Sequence, residues 1–146
     1  MGDISKDLQS KFKNDKIKAH LNIKYTANWL NNKEVEFFKS YGISPQQYNI
    51  LRILRGAGER IKVQVVRERM VEKSPNATRL MDKLLDKKLI ERFRCTEDRR
   101  VVYVNIIEAG LQLLSEIDKH TSSLQLLENL TDEEAQLLSD LLDKIR

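Results

Sequence analysis

Apolar residues recur at helical spacing along most of this chain and give way to alternation in one stretch only, from about residue 92 to residue 106. Between about residues 8 and 40, Ile23, Ala27, Leu30, Phe37 and Phe38 keep an approximately helical spacing among Lys, Asn and Glu, which predicts a long first helix with a frayed, charged start. Ser44-Pro45-Gln46-Gln47 then combines an N-cap serine, proline at the first helical position and glutamine at the third, the elements of a capping box. The helix that starts there carries Tyr48, Leu51 and Leu54 inward and stops at Gly56-Ala57-Gly58. Val63, Val66 and Met70 predict a short helix over about 62–71, with no good N-cap at Ile61 or Lys62. Ser74-Pro75 restarts a helix through about Lys87, with Ala77, Leu80, Met81, Leu84 and Leu85 on one side. Two short helices joined by a turn at about 71–74 predict a helix-turn-helix.

The alternating stretch places Phe93 and Cys95 on one side of a strand and Arg92 and Arg94 on the other, and Arg100 to Ile106 is rich in Val and Tyr, as strands are. Thr96-Glu97-Asp98-Arg99 between them reads as a polar hairpin tip. Helical spacing then resumes, with Leu111, Leu114, Ile117, Thr121 and Leu124 on one face of a long element. A last helix opens on a second capping box, Thr131-Asp132-Glu133-Glu134, and carries Leu137, Leu138, Leu141, Leu142 and Ile145. The expected fold is therefore mainly α with a small β-hairpin, in winged helix-turn-helix order. No repeat, low-complexity segment or interdomain linker interrupts it.

Charge changes this picture. The net charge is +4 over 146 residues, yet segments 1–61, 62–100 and 101–146 carry +5, +5 and −6, so a polyanion is expected to prefer the first two-thirds. On the helix after Ser74, the polar and basic residues Asn76, Thr78, Arg79 and Lys83 fall opposite the apolar ones, so that one side is free for a major groove. Asn reads adenine and Arg reads guanine bidentately, while Ser74 as N-cap leaves a helix terminus favourable to phosphate. Arg92, Arg94, Arg99 and Arg100 crowd the hairpin, and arginine at a β-turn suits the strong negative potential of a narrow minor groove. Asp98 would oppose DNA unless it orients an arginine, for which a charge-assisted bond to the Arg100 guanidinium is the natural means. A solvated turn and an ordinary polar helix face are the plainer readings of these two features, and their succession in the chain favours DNA over both.

Other chemistry is sparse. The single Cys95 is read as a small buried strand residue in preference to a redox sensor. His20 and His120 lack a ligand-spaced acidic or cysteine cluster, so no metal and no cofactor is expected. Nucleophile–base pairs and glycine-rich phosphate loops are also missing, which speaks against an enzyme. Tyr25, Trp29 and Tyr48 are candidates to line a pocket for a small aromatic effector, with core packing as the plainer alternative. No apolar stretch approaches the roughly 20 residues of a membrane helix. With no secretion signal at the N-terminus, a cytoplasmic location is the expectation.

These elements resemble the MarR family of transcription regulators over nearly the full length. The residues that carry the resemblance are Ser74-Pro75-Asn76-Ala77-Thr78-Arg79-Leu80, then Asp82, Lys83, Leu84 and Leu89-Ile90, then Asp98-Arg99-Arg100, and Glu108-Ala109-Gly110. The resemblance implies a single domain over 1–146, with a DNA-binding lobe at about 40–106 and long dimerisation helices at about 1–39 and 107–146. It implies a homodimer on double-stranded DNA, a repressor released by a small molecule and acting on a pseudo-palindromic operator. Asp98 would then buttress the wing and Arg100 enter the minor groove, with Ser74, Asn76, Thr78, Arg79, Lys83, Arg94 and Arg99 completing the DNA surface. The alternative is a winged-helix module that binds protein without specific DNA binding. Two residues depart from the family's pattern: Lys88 stands where glycine is usual and Ile107 where a threonine cap is usual. Lys88 in a left-handed conformation would cost on the order of 1 kcal/mol, and a lost cap at Ile107 about the same unless Asn105 substitutes.

Overall fold

The computed structural model describes residues 2–73 and 75–146 and is built around one helix, α3 (Pro45–Ala57). Its capping box forms as expected: Ser44 Oγ accepts from the Gln47 amide at 3.1 Å, and the Gln47 side chain accepts from the Ser44 amide at 2.9 Å. Gly58 ends it with a φ of 68°. Ile50, Leu51 and Leu54 along α3 are fully buried and meet Val66, Leu84, Val104, Leu114 and Ile117 from the surrounding elements.

The N-terminal segment divides where a single frayed helix was expected. A short α1 (Ile4–Asp7) precedes α2 (Asp15–Lys39), and the break has two local causes. Gln9 takes a φ of 48°, which no right-handed helix accommodates, and Asn14 caps the new start by accepting from the Ile17 amide at 2.9 Å. At 1.5 Å per residue α2 is about 37 Å long, yet Phe38 is its one buried residue.

After α3, a strand of two residues, β1 (Ile61–Lys62), leads directly into α4 (Val63–Arg69), which starts without a side-chain cap. Met70 is extended and buried, and α5 (Ala77–Asp86) follows, starting later than Ser74-Pro75 suggests. Ser74, expected as its N-cap and a phosphate contact, lies outside the described residues. β2 (Ile90–Arg94) and β3 (Val102–Ile106) form the hairpin, and β1 adds a third strand, in the order β1-β3-β2 with both pairings antiparallel.

The end of α5 bears out the reading of Lys88. Its φ is 56°, its amide donates to Leu85 O at 2.9 Å, and the Leu89 amide donates to Leu84 O at 3.1 Å, the paired bonds of a Schellman motif. Lys88→Gly is expected to stabilise the protein by about 1 kcal/mol, because glycine takes the left-handed conformation without the Cβ clash. Urea unfolding at fixed protein concentration checks this; an unchanged midpoint would show that the strain is absorbed elsewhere.

The last third holds α6 (Glu108–Asp118), a 3-10 turn over Thr121–Leu124 and α7 (Asp132–Ile145). Ile107 is the N-cap of α6 with no side-chain cap bond, and the Asn105 side chain turns elsewhere, its Nδ2 donating to Glu91 Oε1 at 3.4 Å. The single long face expected from Leu111 to Leu124 is interrupted after Asp118. There the hydroxyls of Thr121 and Ser123 donate back to the carbonyls of Asp118 (3.2 Å) and His120 (2.7 Å), competing with helix continuation. An ion pair of 2.7 Å from Arg55 to Asp118 ties α3 to the end of α6. α7 forms on its capping box, with no residue buried.

Candidate nucleic-acid interface

α5 is amphipathic in the way its spacing predicts. Ala77, Met81 and Leu84 are buried, and Asn76, Thr78, Arg79 and Lys83 are exposed along the opposite side. Beside it the hairpin projects with its register fixed by the pairs Ile90↔Ile106, Arg92↔Val104 and Arg94↔Val102. Directly paired residues share a face of the sheet, so Arg92 and Arg94 lie on the same side as the buried Ile90, Val104 and Ile106. Because β2 runs out past the core, its two arginines emerge over the flank of α5.

Between α4, α5 and the hairpin lies a groove of about 520 Å³, with Lys62, Gln64 and Arg67 on one wall, Thr78 and Met81 on α5, and Arg92, Arg94 and Arg100 on the hairpin. Five cations and no carboxylate line it among the described residues, which focuses positive potential into a concave site. Two polar links brace its walls. Arg67 donates to Thr78 Oγ1, joining α4 to α5, and Arg92 pairs with Asp82 at 2.9 Å, joining the hairpin to α5.

Of the residues singled out from sequence, Thr78, Arg94 and Arg100 meet in this groove; Arg79 and Lys83 continue the exposed face of α5, and Arg99 stands exposed at the hairpin tip. Asp98 acts differently from the expectation. Its carboxylate accepts from the Arg100 backbone amide at 3.0 Å, and its carbonyl accepts from the Val101 amide at 3.0 Å, so it shapes the turn rather than gripping the Arg100 guanidinium. A carboxylate two residues upstream is well placed for that local turn. Lys62, Gln64 and Arg67 were missed, because α4 carries no sequence mark of which face it turns toward α5. Cys95 is half-buried on the other side of the hairpin rather than buried, its amide donating to Val101 O at 3.0 Å.

The proposed aromatic trio does not assemble. Tyr25 and Trp29 are 42% and 41% exposed. Trp29 precedes Phe38 by nine residues, about 13 Å along α2. Tyr48 lines a cavity of about 400 Å³ between α2, α3 and the segment after α4, together with Glu34, Phe38, Asn49, Arg52 and Met70 to Glu72, and neither Tyr25 nor Trp29 is part of that lining. The Tyr48 ring stacks on Phe38 at 4.4 Å. Burial, and secondarily the Glu72 carboxylate, pushes the Glu34 carboxyl above its ordinary value. The floor of this cavity is tied to the segment leading into α5: the Val71 backbone amide donates to Asn49 Oδ1 at 3.0 Å and Gln46 Nε2 donates to Glu72 Oε2 at 2.9 Å.

Among the described residues no cluster of three or more His, Cys, Asp or Glu side chains is arranged to hold a metal, and no helix is long and apolar enough to cross a membrane.

Residues 43–102, spanning α3 to the hairpin, match the MarR family. The chain is 30% identical over 105 residues to the uncharacterized HTH-type transcriptional regulator YpoP of Bacillus subtilis (strain 168), covering 70% of this chain and 74% of that protein. It is similar to the crystal structure of a MarR transcription factor from Planctomyces limnophilus, at 32% identity and a TM-score of 0.72, covering 91% of this chain and 98% of that one. A mutant MarR from E. coli complexed with operator DNA shares the fold at 24% identity and a TM-score of 0.80, covering 93% of this chain and 99% of that one. The helix-turn-helix, the basic hairpin and these relatives agree: the chain belongs to the MarR family of DNA-binding transcription regulators.

Proposed function

We propose that this protein is a homodimeric, cytoplasmic repressor that binds a pseudo-palindromic operator in duplex DNA and is released by a small aromatic effector. The observation that carries the DNA reading is the cationic groove, which sets the start of α5 beside three hairpin arginines. In this reading Asn76, Thr78, Arg79 and Lys83 face the major groove. Arg94, Arg99 and Arg100 reach the minor groove, with Ser74 at a phosphate and Asp98 shaping the tip. Arg67 joins them from α4. The winged-helix lobe spans about 40–106 of a single domain, and the segments 1–39 and 107–146 supply dimerisation helices.

Support for the dimer comes from apolar side chains left uncovered in the single chain: Leu137, Leu138, Leu141 and Ile145 on α7, and Ile17, Ile23, Tyr25 and Trp29 on α2. Support for release comes from the cavity at Tyr48, since an occupant there would press on residues 70–72, which lead into α5.

Fluorescence anisotropy against the upstream DNA of its own gene, across a salt series, tests the reading. Wild type is expected to bind steeply with salt, and Arg100→Ala to lose about tenfold or more in affinity, the order of 1–3 kcal/mol for a groove contact. Equal binding by the two proteins would remove Arg100 from the interface. Absence of binding by wild type to that DNA or to random duplexes would favour a protein-interaction module.

A further inference from the structure

The hairpin face turned away from the groove carries an arrangement that the DNA contacts do not use. Phe93 and Tyr103 are directly paired across β2 and β3. The Arg60 guanidinium lies 5.7 Å from the centre of the Phe93 ring and 5.8 Å from that of Tyr103. Arg60 is exposed and, among the described residues, in no ion pair, so its guanidinium is held by the two rings.

Its position explains what this contact does. Arg60 directly precedes β1, and β1 pairs with β3 only at Val104 and Tyr103. Beyond Tyr103 no third strand pairs with the hairpin among the described residues, and the backbone of residues 94–102, which include Arg94, Arg99 and Arg100, is hydrogen-bonded through the β2–β3 pairing and the Asp98 turn. The guanidinium thus covers the last rung that the body of the protein supports. A guanidinium within about 6 Å of two ring centres is an attractive cation–π contact.

We propose that Arg60 is a positioning residue for the wing: lying over Phe93 and Tyr103, it fixes the angle at which the hairpin arginines meet DNA, without touching DNA itself. This rests on the DNA-binding reading above. Loss of the contact lets the hairpin swing, and a swinging hairpin delivers its arginines to the minor groove for a smaller fraction of the time.

The test uses the full-length protein and Arg60→Ala, together with Phe93→Leu, which removes a ring and leaves the charge unchanged. Two quantities are read: affinity for duplex DNA across a salt series, and hydrogen exchange of the Cys95 and Val101 amides in the protein without DNA. Both variants are expected to lose severalfold in affinity at every salt concentration with the slope of log K against log salt unchanged, and to exchange those two amides severalfold faster than wild type. If Arg60 instead contacts phosphate, Arg60→Ala lowers the slope by about 0.9 and Phe93→Leu binds like wild type, which overturns the proposal. Unchanged amide exchange in both variants also overturns it. Should wild type bind no duplex, the DNA reading fails by itself, and the exchange comparison still decides whether Arg60 holds the hairpin.

Discussion

Gly110→Ala is expected to destabilise the protein by about 2–3 kcal/mol, at the upper end of what overpacking a core does. A Cβ at this position would lie 2.4 Å from the Leu89 carbonyl oxygen and 2.7 Å from Cγ1 of Ile106. The side chain can turn away; the carbonyl cannot, because Leu89 O accepts the Ile107 amide at 3.2 Å and the Leu89 amide closes the Schellman motif after α5. An added methyl therefore pushes α6 off the joint where α5, β2 and β3 meet. For a chain of this size the melting temperature should fall by about 5–10 °C. Gly56→Ala is the control, since nothing lies within 4 Å of a Cβ there and it sits inside α3. It should leave stability unchanged or raise it by up to about 1 kcal/mol. A Gly110→Ala melt that coincides with wild type would show that the α6 joint is looser than its geometry.

The second large effect concerns assembly. Leu137 and Leu141 are one helical turn apart on α7, 59% and 52% exposed in the isolated chain. Replacing both by glutamate removes no buried contact within one protomer, so the fold should persist. Two buried charges facing a partner should instead abolish association. Light scattering on wild type is expected to give twice the 17.1 kDa chain mass, and on the double variant a mass near that of one chain. Circular dichroism of the two should give nearly the same helix content. A monomeric wild type at micromolar concentration would contradict the dimer, and a dimeric double variant would move the interface off α7.

How far the sequence revealed this molecule differs from element to element. Both capping boxes were readable because each is a local exchange of two hydrogen bonds within four residues. The outward face of α5 was readable because its apolar residues keep helical spacing; the left-handed Lys88 was anticipated only through the family resemblance, in which glycine is usual at that place. What escaped depends on distance or length. β1 is two residues long, too short to show a period, and exists only because β3 passes beside it. Alternation separated the arginines from Phe93 but did not say which set shares the core's face; that depends on how far the hairpin overhangs the core. Arg67 became a groove residue only once α4 had packed beside α5. The aromatic trio did not meet because Tyr25 and Trp29 lie more than two turns up α2 from Phe38, where α2 borders the cavity that Tyr48 lines. The break after Asp118 was hidden by apolar residues that keep helical spacing through a stretch where hydroxyls take the carbonyls.

Whether a dimer reads duplex sequence with α5 and the hairpin is decided by selecting bound duplexes from a random pool at near-physiological salt and sequencing them. Enrichment of an inverted repeat is expected, with half-sites about one helical turn apart, roughly 10 base pairs centre to centre. No enrichment, or enrichment of a single half-site without symmetry, would contradict a dimeric reader.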